Sequence, residues 1–576
     1  MKVKVLLIIK KLTQKNLWLI GFIFLFTILG SILSLINPLL YSKLIDNIIP
    51  SKNYGFLVLY LCLMVLVPCC VTLFSSIKNY LSAKLGDIYT NNLRKECFNK
   101  ILGAKIDELE KTSTAQIVQR ITKESGRIGE IYITKDLITF VSEFVTLLFI
   151  MCTMFWVNMK LSIICVVAFP IAMLITHFVS KKSKMVDKAL ISTLEEGNTY
   201  LTQTVNSLKT IKLKNGQDKE KNNWLNWLKK YRSIRLKSSV THNISNFLMG
   251  DLIINSVYGI VFFCAGILVI EGQLTVGELV AFIAFVPKVY SSLRNVLNLK
   301  VANSVVSNSV EKINEILTIP QERESGREID NITSIKFKNV DFMYDRADFM
   351  IENMNFDIEK GEKVAFIGSS GSGKSTLFDL ITLLYTPIKG SLLLNDINAN
   401  DLNIKSIRKR IAIVSQSTDI FNDSIKNNIL YPDLEENQIE KILQIAKLDD
   451  FIDRLTNGMD TLVGERGTLL SGGERQRICI ANALLKESDV VLLDEFTSAL
   501  DVKIEKQLID YVLKSDKTVM MVSHRIYNAM NFDKIVIMED GKILEYGDPQ
   551  ELIKDKKSIL YELYSKINLN FSEGKR

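Results

Sequence analysis

Long apolar runs crowd the first half of the chain, and short alternating ones fill the second. The long runs fall near residues 17–40, 55–76, 137–157, 161–179, 247–270 and 275–297. Each is about 20 residues, the length a helix needs to cross a bilayer. They predict six spans. The third and fourth are separated only by Asn158-Met-Lys160, and the fifth and sixth only by Glu271-Gly-Gln-Leu274, so both pairs are tight hairpins. Two longer segments, 77–130 and 180–246, keep a helical apolar spacing with almost no Pro or Gly. They read as extensions of the membrane helices well beyond the bilayer. Each must reverse, and polarity rises at Ile106–Thr122 and at Ser207–Asn222, where Gly216 interrupts. Short transverse helices are expected there, resting on another domain.

The pattern changes near Ile319-Pro320. Gln321–Asp330 is charged and contains Gly326, which marks a linker. Beyond it lie short β-rich runs at Ile335–Phe342, Lys363–Ile367, Arg410–Val414, Val490–Leu493, Thr518–Val522 and Lys534–Met538, alternating with helical stretches. That alternation predicts an α/β domain around a largely parallel sheet. The chain is therefore multidomain: an all-α polytopic membrane domain over 1–318, a linker over 319–333 and an α/β domain over 334–576.

Composition supports the division. Hydrophobic residues make up 48% of the 576 positions, and mean hydropathy is +0.17, a membrane signature when concentrated in long runs. The net charge of +8 has its bland explanation in cytoplasmic loops. Lys2, Lys4, Lys10, Lys11 and Lys15 precede the first run; Lys78, Lys84, Arg94, Lys95, Lys100 and Lys105 lie in the first long loop. Lys181, Lys182, Lys184, Lys188, Lys209, Lys212 and Lys214 lie in the second, while the remaining loops are short and nearly neutral. Both termini, both long loops and the α/β domain are thus expected on the cytoplasmic side of the cell membrane. No compact basic patch with interleaved aromatics suggests nucleic acid. None of the eight cysteines has a zinc-type spacing, so neither a disulfide framework nor a cysteine metal site is expected. The first apolar run is too long for a signal-peptide core and reads as a retained anchor.

The chemistry lies in the second half. Gly368-Ser-Ser-Gly-Ser-Gly-Lys-Ser375 joins a predicted strand to a predicted helix, the context a phosphate loop requires. Gly368, Ser369, Ser370, Gly371, Ser372 and Gly373 would bring backbone N–H groups against phosphate oxygens at a helix N-terminus. Lys374 would reach the β- and γ-phosphates, Ser375 would ligate Mg²⁺, and Thr376 completes the motif. Asp494 ends the apolar strand Val490-Val-Leu-Leu-Asp494, the place for a second Mg²⁺ contact, and Glu495 beside it can orient an attacking water. Gln416 and His524 follow predicted strands in the same way, where ligands gather in parallel sheets. Gln416 would touch Mg²⁺ or the water, and His524 the γ-phosphate. Tyr344 could stack on adenine, or be an ordinary strand aromatic. Ser471-Gly472-Gly473-Glu474 opens another predicted helix and makes a second anion-binding helix start. Two such starts per domain make sense if two domains face head to tail, each capping the other's nucleotide.

At these residues the chain resembles the ATP-binding cassette transporters. Tyr344 matches the A-loop, Gly368–Thr376 Walker A, Gln416 the Q-loop and Leu470–Glu474 the signature. Val490–Asp494 matches Walker B with Glu495 as catalytic glutamate, Ser498–Asp501 the D-loop and His524 the switch histidine. Thr461–Gly467 resembles the X-loop of exporters, and Gly272–Glu278 the start of their sixth helix. The resemblance implies a type IV exporter: six membrane helices and one ATPase domain per subunit, two subunits, ATP and Mg²⁺. Two positions depart from the pattern. Glu474 replaces the commoner Gln of the signature, and Ala115-Gln116 stands where many relatives carry Gly-Glu. No catalytic position is degenerate, so a homodimer with two working sites is expected.

Ionisable residues inside spans are functional candidates. Glu143, Asp251 and His177 lie in or near apolar runs, with Lys288 and Arg294 on the sixth. Glu143 and Asp251 read either as an acidic cavity for a cationic cargo or as partners of Lys288. Export of a peptide or hydrophobic amphiphile is the leading expectation, with lipid flipping as its alternative and an ATP-gated channel or sensor as a third. The partners expected are a second copy of the chain, membrane lipid and a small-molecule, lipid or peptide cargo.

Overall fold

The computed structural model describes residues 3–247, 252–344, 350–497, 500–523 and 525–565. The chain divides into two compact units, Met1–Asn99 with Thr114–Thr318, and Lys100–Ser113 with Ile319–Arg576. The division is not sequential: the turn region 100–113, although it interrupts the helical half, packs with the second unit.

The first unit is all helix. Its main elements are Leu17–Lys43, Tyr54–Leu102, Ile138–Val157, Met159–Asn206, Gln217–Asn246, Ile253–Ile270 and Val276–Leu317. Among the described residues, four stretches are long and apolar enough to cross a membrane: Leu17–Ile48, Tyr54–Leu102, Thr114–Val157 and Val276–Val296. A shorter apolar helix covers Asn255–Ile270. The remaining expected span, 161–179, lies on the helix Met159–Asn206, much of whose side-chain content falls outside the described residues. Tyr54–Leu102 has 49 residues, about 74 Å of helix, more than twice the apolar thickness of a bilayer. The expected second reversal is a short helix, Leu208–Leu213, followed by Gly216.

Phe282 and Phe285 fill the bundle core, packed with Leu35, Ile150, Met154 and Val286. The opposite faces leave Trp18, Phe22, Leu59, Leu66, Trp156 and Phe263 exposed, as a lipid-facing surface requires. Helix contact inside the bundle relies on small residues. A Cβ on Gly129 would lie 2.1 Å from the Thr90 hydroxyl and 2.6 Å from the Gly86 carbonyl. At the other end, Asp46 accepts hydrogen bonds from the Gly277 amide at 2.8 Å and the Thr275 hydroxyl at 2.7 Å. It thereby caps the helix Val276–Leu317, which also carries a Thr275–Glu278 capping box.

The second unit holds two sheets. The strands are β1 (Ser334–Met343), β2 (Met350–Glu359), β3 (Lys363–Gly368), β4 (Lys389–Leu394), β5 (Ile397–Asn398), β6 (Ile411–Val414), β7 (Val490–Asp494), β8 (Thr518–Val522), β9 (Lys534–Glu539) and β10 (Lys542–Gly547). A four-stranded antiparallel sheet runs β2-β1-β4-β5, and a six-stranded sheet runs β10-β9-β3-β8-β7-β6. In the second sheet only β10 is antiparallel. Apolar cores cover both faces of its central strands, which are buried throughout, as parallel strands are.

The segment expected as a linker is anchored within the second unit. The Glu322 amide donates to the Gly103 carbonyl at 2.8 Å, and the Lys105 amide to the Pro320 carbonyl at 3.1 Å. Arg408 grips the Glu322 carboxylate with both guanidinium nitrogens at 2.8 Å, a bidentate pair. Ile329 and Ile332 are buried in the core beneath β1.

The tight approach at Gly129 gives a direct test. Gly129→Ala should destabilise the purified protein by about 1–3 kcal/mol, the cost of overpacking, read as a lowered thermal midpoint. Gly30→Ala, where an added Cβ meets nothing within 4 Å, should leave the midpoint in place.

Candidate functional site

The six-stranded sheet gathers the chemistry. Because β6, β7, β8 and β3 are parallel, their C-terminal ends share one edge, where ligands collect in open α/β sheets. Gln416 follows β6, Asp494 and Glu495 end and follow β7, Ser523 follows β8, and the phosphate loop follows β3. The register aligns Asp494 with Val522, and Phe366 with the same Val522.

The loop Gly368–Gly373 needs its glycines. A Cβ on Gly368 would meet the Met538 carbonyl at 2.1 Å. Gly371 and Gly373 have φ of +83° and +96°, conformations only glycine adopts freely. The helix Lys374–Ile381 then begins, with Ser375 exposed and Thr376 buried. The Lys374 ammonium lies under the loop, donating to the carbonyls of Gly368 at 3.0 Å and Ser369 at 2.6 Å and to the Ser372 hydroxyl at 3.1 Å. Burial lowers the Lys374 pKa, and the negative charges of Glu495 and Asp494 oppose that shift. The strand–glycine loop–helix geometry, with a cation beneath it, fits a polyphosphate.

Glu495 has φ of +44°, an unusual conformation for a non-glycine residue that turns the chain sharply out of β7. The Gln416 amide donates to its carboxylate at 2.9 Å, so the two residues meet. Among the described residues no group of three or more His, Cys, Asp and Glu side chains could hold a metal. A Mg²⁺ here would use the Ser375 hydroxyl and Asp494 together with phosphate oxygens, a donor set that suits it. His524 and the Ser498-Ala499 part of the expected D-loop lie outside the described residues, as does Asp251.

Ser471 and Glu474 form a reciprocal capping box at the start of the helix Gly472–Leu485. The Ser471 amide donates to the Glu474 carboxylate at 2.7 Å, and the Glu474 amide to the Ser471 hydroxyl at 3.3 Å. The departure from Gln at 474 thus keeps the helix start in order, and Ser-x-x-Glu is a spacing that announces such a box in sequence. Ser471 and Gly472 are exposed and Gly473 half-buried. Further along this helix, the buried Gln476 amide donates to the Glu495 carbonyl at 3.4 Å.

Tyr344 follows β1 and is half-buried, its hydroxyl on Asp379 at 3.0 Å and on Thr376 at 3.2 Å. One residue escaped the sequence reading. The Glu505 side chain is only 3% exposed, accepting from Thr497 at 2.7 Å, Asn528 at 2.6 Å and the Arg525 guanidinium. It ties the loop after Glu495 to the loop after β8. On an amphipathic helix it reads as one more surface charge, and nothing in the local pattern marks it as buried.

In the membrane unit, polar groups from four helices converge. The Glu143 carboxylate accepts from Ser292 at 2.6 Å and from Asn295 at 3.3 Å. Lys288 donates to the Ser34 carbonyl at 2.8 Å, and Lys78 to the Ser142 hydroxyl at 3.1 Å. Both ammonium groups feel the Glu143 charge. Of the two readings of Glu143, the pairing with Lys288 survives only as charge proximity, the direct hydrogen bonds of both groups going to hydroxyl, amide and carbonyl partners. His177 lies where side chains are outside the described residues.

Residues 20–293 match the model of the ABC transporter transmembrane region, and residues 351–498 that of the ABC transporter ATPase family. The ATP-dependent lipid A-core flippase of Salmonella typhimurium is 32% identical over 487 residues, 83% of each chain. That of Pectobacterium atrosepticum is 32% identical over 470 residues, 80% of each. A solved bacterial Atm1-family ABC exporter with ATP bound superposes with a TM-score of 0.84 at 22% identity, over 96% of this chain and 99% of that one. A buried parallel sheet ending in a glycine cradle, joined to a polytopic helical unit and matched along most of its length, makes this chain a member of the ABC transporters, a multi-pass membrane protein whose cytoplasmic domain hydrolyses ATP to drive transport.

Proposed function

We propose that this chain works as a homodimer that flips an anionic lipid amphiphile across the cell membrane. The observation that carries the reading is a polar cluster between the spans: Lys288, in the sixth run, and Lys78, just past the end of the second, lie close enough to Glu143 to feel its charge, and the oxygens of that carboxylate already accept from Ser292 and Asn295. An ammonium at the edge of the hydrocarbon attracts a negative partner. A lipid headgroup phosphate supplies one and leaves its acyl chains in the membrane. The relatives named as lipid A-core flippases support a lipid over the peptide or drug cargo expected first. Asp251 lies outside the described residues, and the Glu143 carboxylate already accepts from Ser292 and Asn295, which favours the lipid over a cationic cargo.

At the ATPase end, Gly368–Gly373 would cradle the phosphates of ATP, with Lys374 supplying positive charge and Tyr344 a face for adenine. Mg²⁺, when bound, would be held by Ser375, Asp494 and Gln416 and would neutralise phosphate charge. Gln416 orients the Glu495 carboxylate, which with His524 positions water for attack on the γ-phosphorus. Ser471, Gly472 and Gly473 would donate from the partner copy to the same nucleotide, with Glu474 bracing them, so each pocket needs two chains. Closure of the paired ATPase domains on ATP then drives rearrangement of the membrane helices, and charge repulsion after cleavage reopens them.

Glu495→Gln should cut ATP turnover by about 10²-fold or more while the protein still binds ATP and accumulates as a closed dimer, measured by phosphate release and crosslinking. In proteoliposomes, ATP should move a fluorescent anionic lipid between leaflets, and Lys288→Gln should weaken its apparent affinity about tenfold, the weight of one charge-assisted contact. Stimulation by cationic peptides with no lipid movement would overturn the assignment. Glu505→Ala should lower the stability of the ATPase domain by about 2 kcal/mol, since it strands several donors, and this is readable by differential scanning fluorimetry.

A further inference from the structure

The helix after the phosphate loop reads Leu377-Phe378-Asp379-Leu380-Ile381, four buried apolar residues around one carboxylate. A charge in that position needs a reason. The structure supplies a specific neighbour: Asp379 Oδ2 accepts the Tyr344 hydroxyl at 3.0 Å, and the same hydroxyl reaches Thr376 Oγ1 at 3.2 Å. The ring itself is held edge-on by Tyr385, with centroids 5.0 Å apart and planes at 86°, and by Phe342 at 4.9 Å and 84°. Tyr385 and Tyr344 share a pocket wall with Glu110, on the short helix Ile106–Glu110 of the same unit.

We propose that Asp379 is a positioning residue for nucleotide binding: it fixes the hydroxyl of Tyr344, so that this ring is presented in one orientation as the platform for the nucleobase. The inference rests on the assignment of Tyr344 as the adenine-stacking residue and adds what sets that ring's geometry. A tyrosine at the end of a strand, without a partner for its hydroxyl, would sample several rotamers. Restricting it in advance lowers the ordering cost of binding. The arrangement is also costly to keep for packing alone. Burial raises the Asp379 pKa and the nearby charges of Asp494 and Glu110 add to the rise, while the Tyr344 hydrogen bond opposes them. An apolar side chain would fill the same space without that penalty.

The test uses the full-length transporter in proteoliposomes, with steady-state ATP hydrolysis and direct binding of a fluorescent ATP analogue. Asp379→Ala should raise the KM for ATP about fivefold and leave kcat within twofold. Asp379→Asn, which keeps an acceptor oxygen for the hydroxyl, should restore most of the affinity. In a Tyr344→Phe background, which removes the donor, Asp379→Ala should add nothing further. A fall in kcat at unchanged KM, or additive effects of the two substitutions, would overturn the inference while leaving Tyr344 as the platform. Tyr344→Ala with unchanged ATP affinity would overturn the platform assignment itself, and the inference with it.

Discussion

The parallel pairing of β3, β8 and β7 is the constraint on which the ATPase half depends. Hydrogen bonding of β8 to both neighbours brings the glycine loop after β3 and the acidic pair after β7 to one edge. Side chains far apart in sequence, such as Lys374 and Glu495, thereby act on one another electrostatically. Buried on both faces, these strands cannot slip by one residue without turning apolar side chains out of two cores. The register is therefore firm, and the site inherits its precision from strands that make no contact with substrate. Gly368 shows how little slack is left, since its backbone passes so close to the Met538 carbonyl that even a methyl group is excluded.

The membrane half obeys a different rule. Water is absent from the hydrocarbon, so backbone polar groups are satisfied within helices, and side-chain polarity survives only where partners exist. The cluster around Glu143 follows this rule: serine hydroxyls, an asparagine amide and a backbone carbonyl satisfy the carboxylate and the two lysines without forming a neutral ion pair.

Much of this was legible in the sequence, for reasons that can be named. Period and length mark membrane helices because a bilayer imposes a length, and glycine spacing marks a phosphate loop because positive φ and close approach admit few alternatives. The parallel strands β3, β6, β7, β8 and β9 stand out as short apolar runs. The antiparallel sheet was read only at β1. β2 alternates apolar residues with Asn, Asp and Glu, and β4 opens with Lys-Gly-Ser, so neither stands out without its neighbour. Glu505 and Asp379 were illegible for a shared reason: burial of a carboxylate is a tertiary property, created by donors that arrive from other strands and loops. The contacts of the charged stretch after Pro320 are tertiary in the same sense. Its polarity reads as a solvated linker, yet Glu322 is held by Arg408 and the backbone pairs with 103–105.

That last difference bears on how ATP hydrolysis reaches the membrane helices. A slack linker would let the ATPase domain move without consequence. Here the chain crosses between the two compact units at residues 99–100, 113–114 and 318–319. On the ATPase side the first and third of these crossings are fastened to each other. Gln321 bonds the Lys100 carbonyl, Glu322 the Gly103 carbonyl, and the pair Ala104–Gln321 forms a β-bridge. The segment between the first and second crossings also carries Glu110, which lines one pocket with Tyr385 and Tyr344. Within the second unit the end of the 49-residue helix is therefore tied to the segment that follows the 42-residue helix and, through Arg408, to the helix that precedes β6. Long helices are stiff along their axes, so displacement at such a tied end is transmitted rather than absorbed.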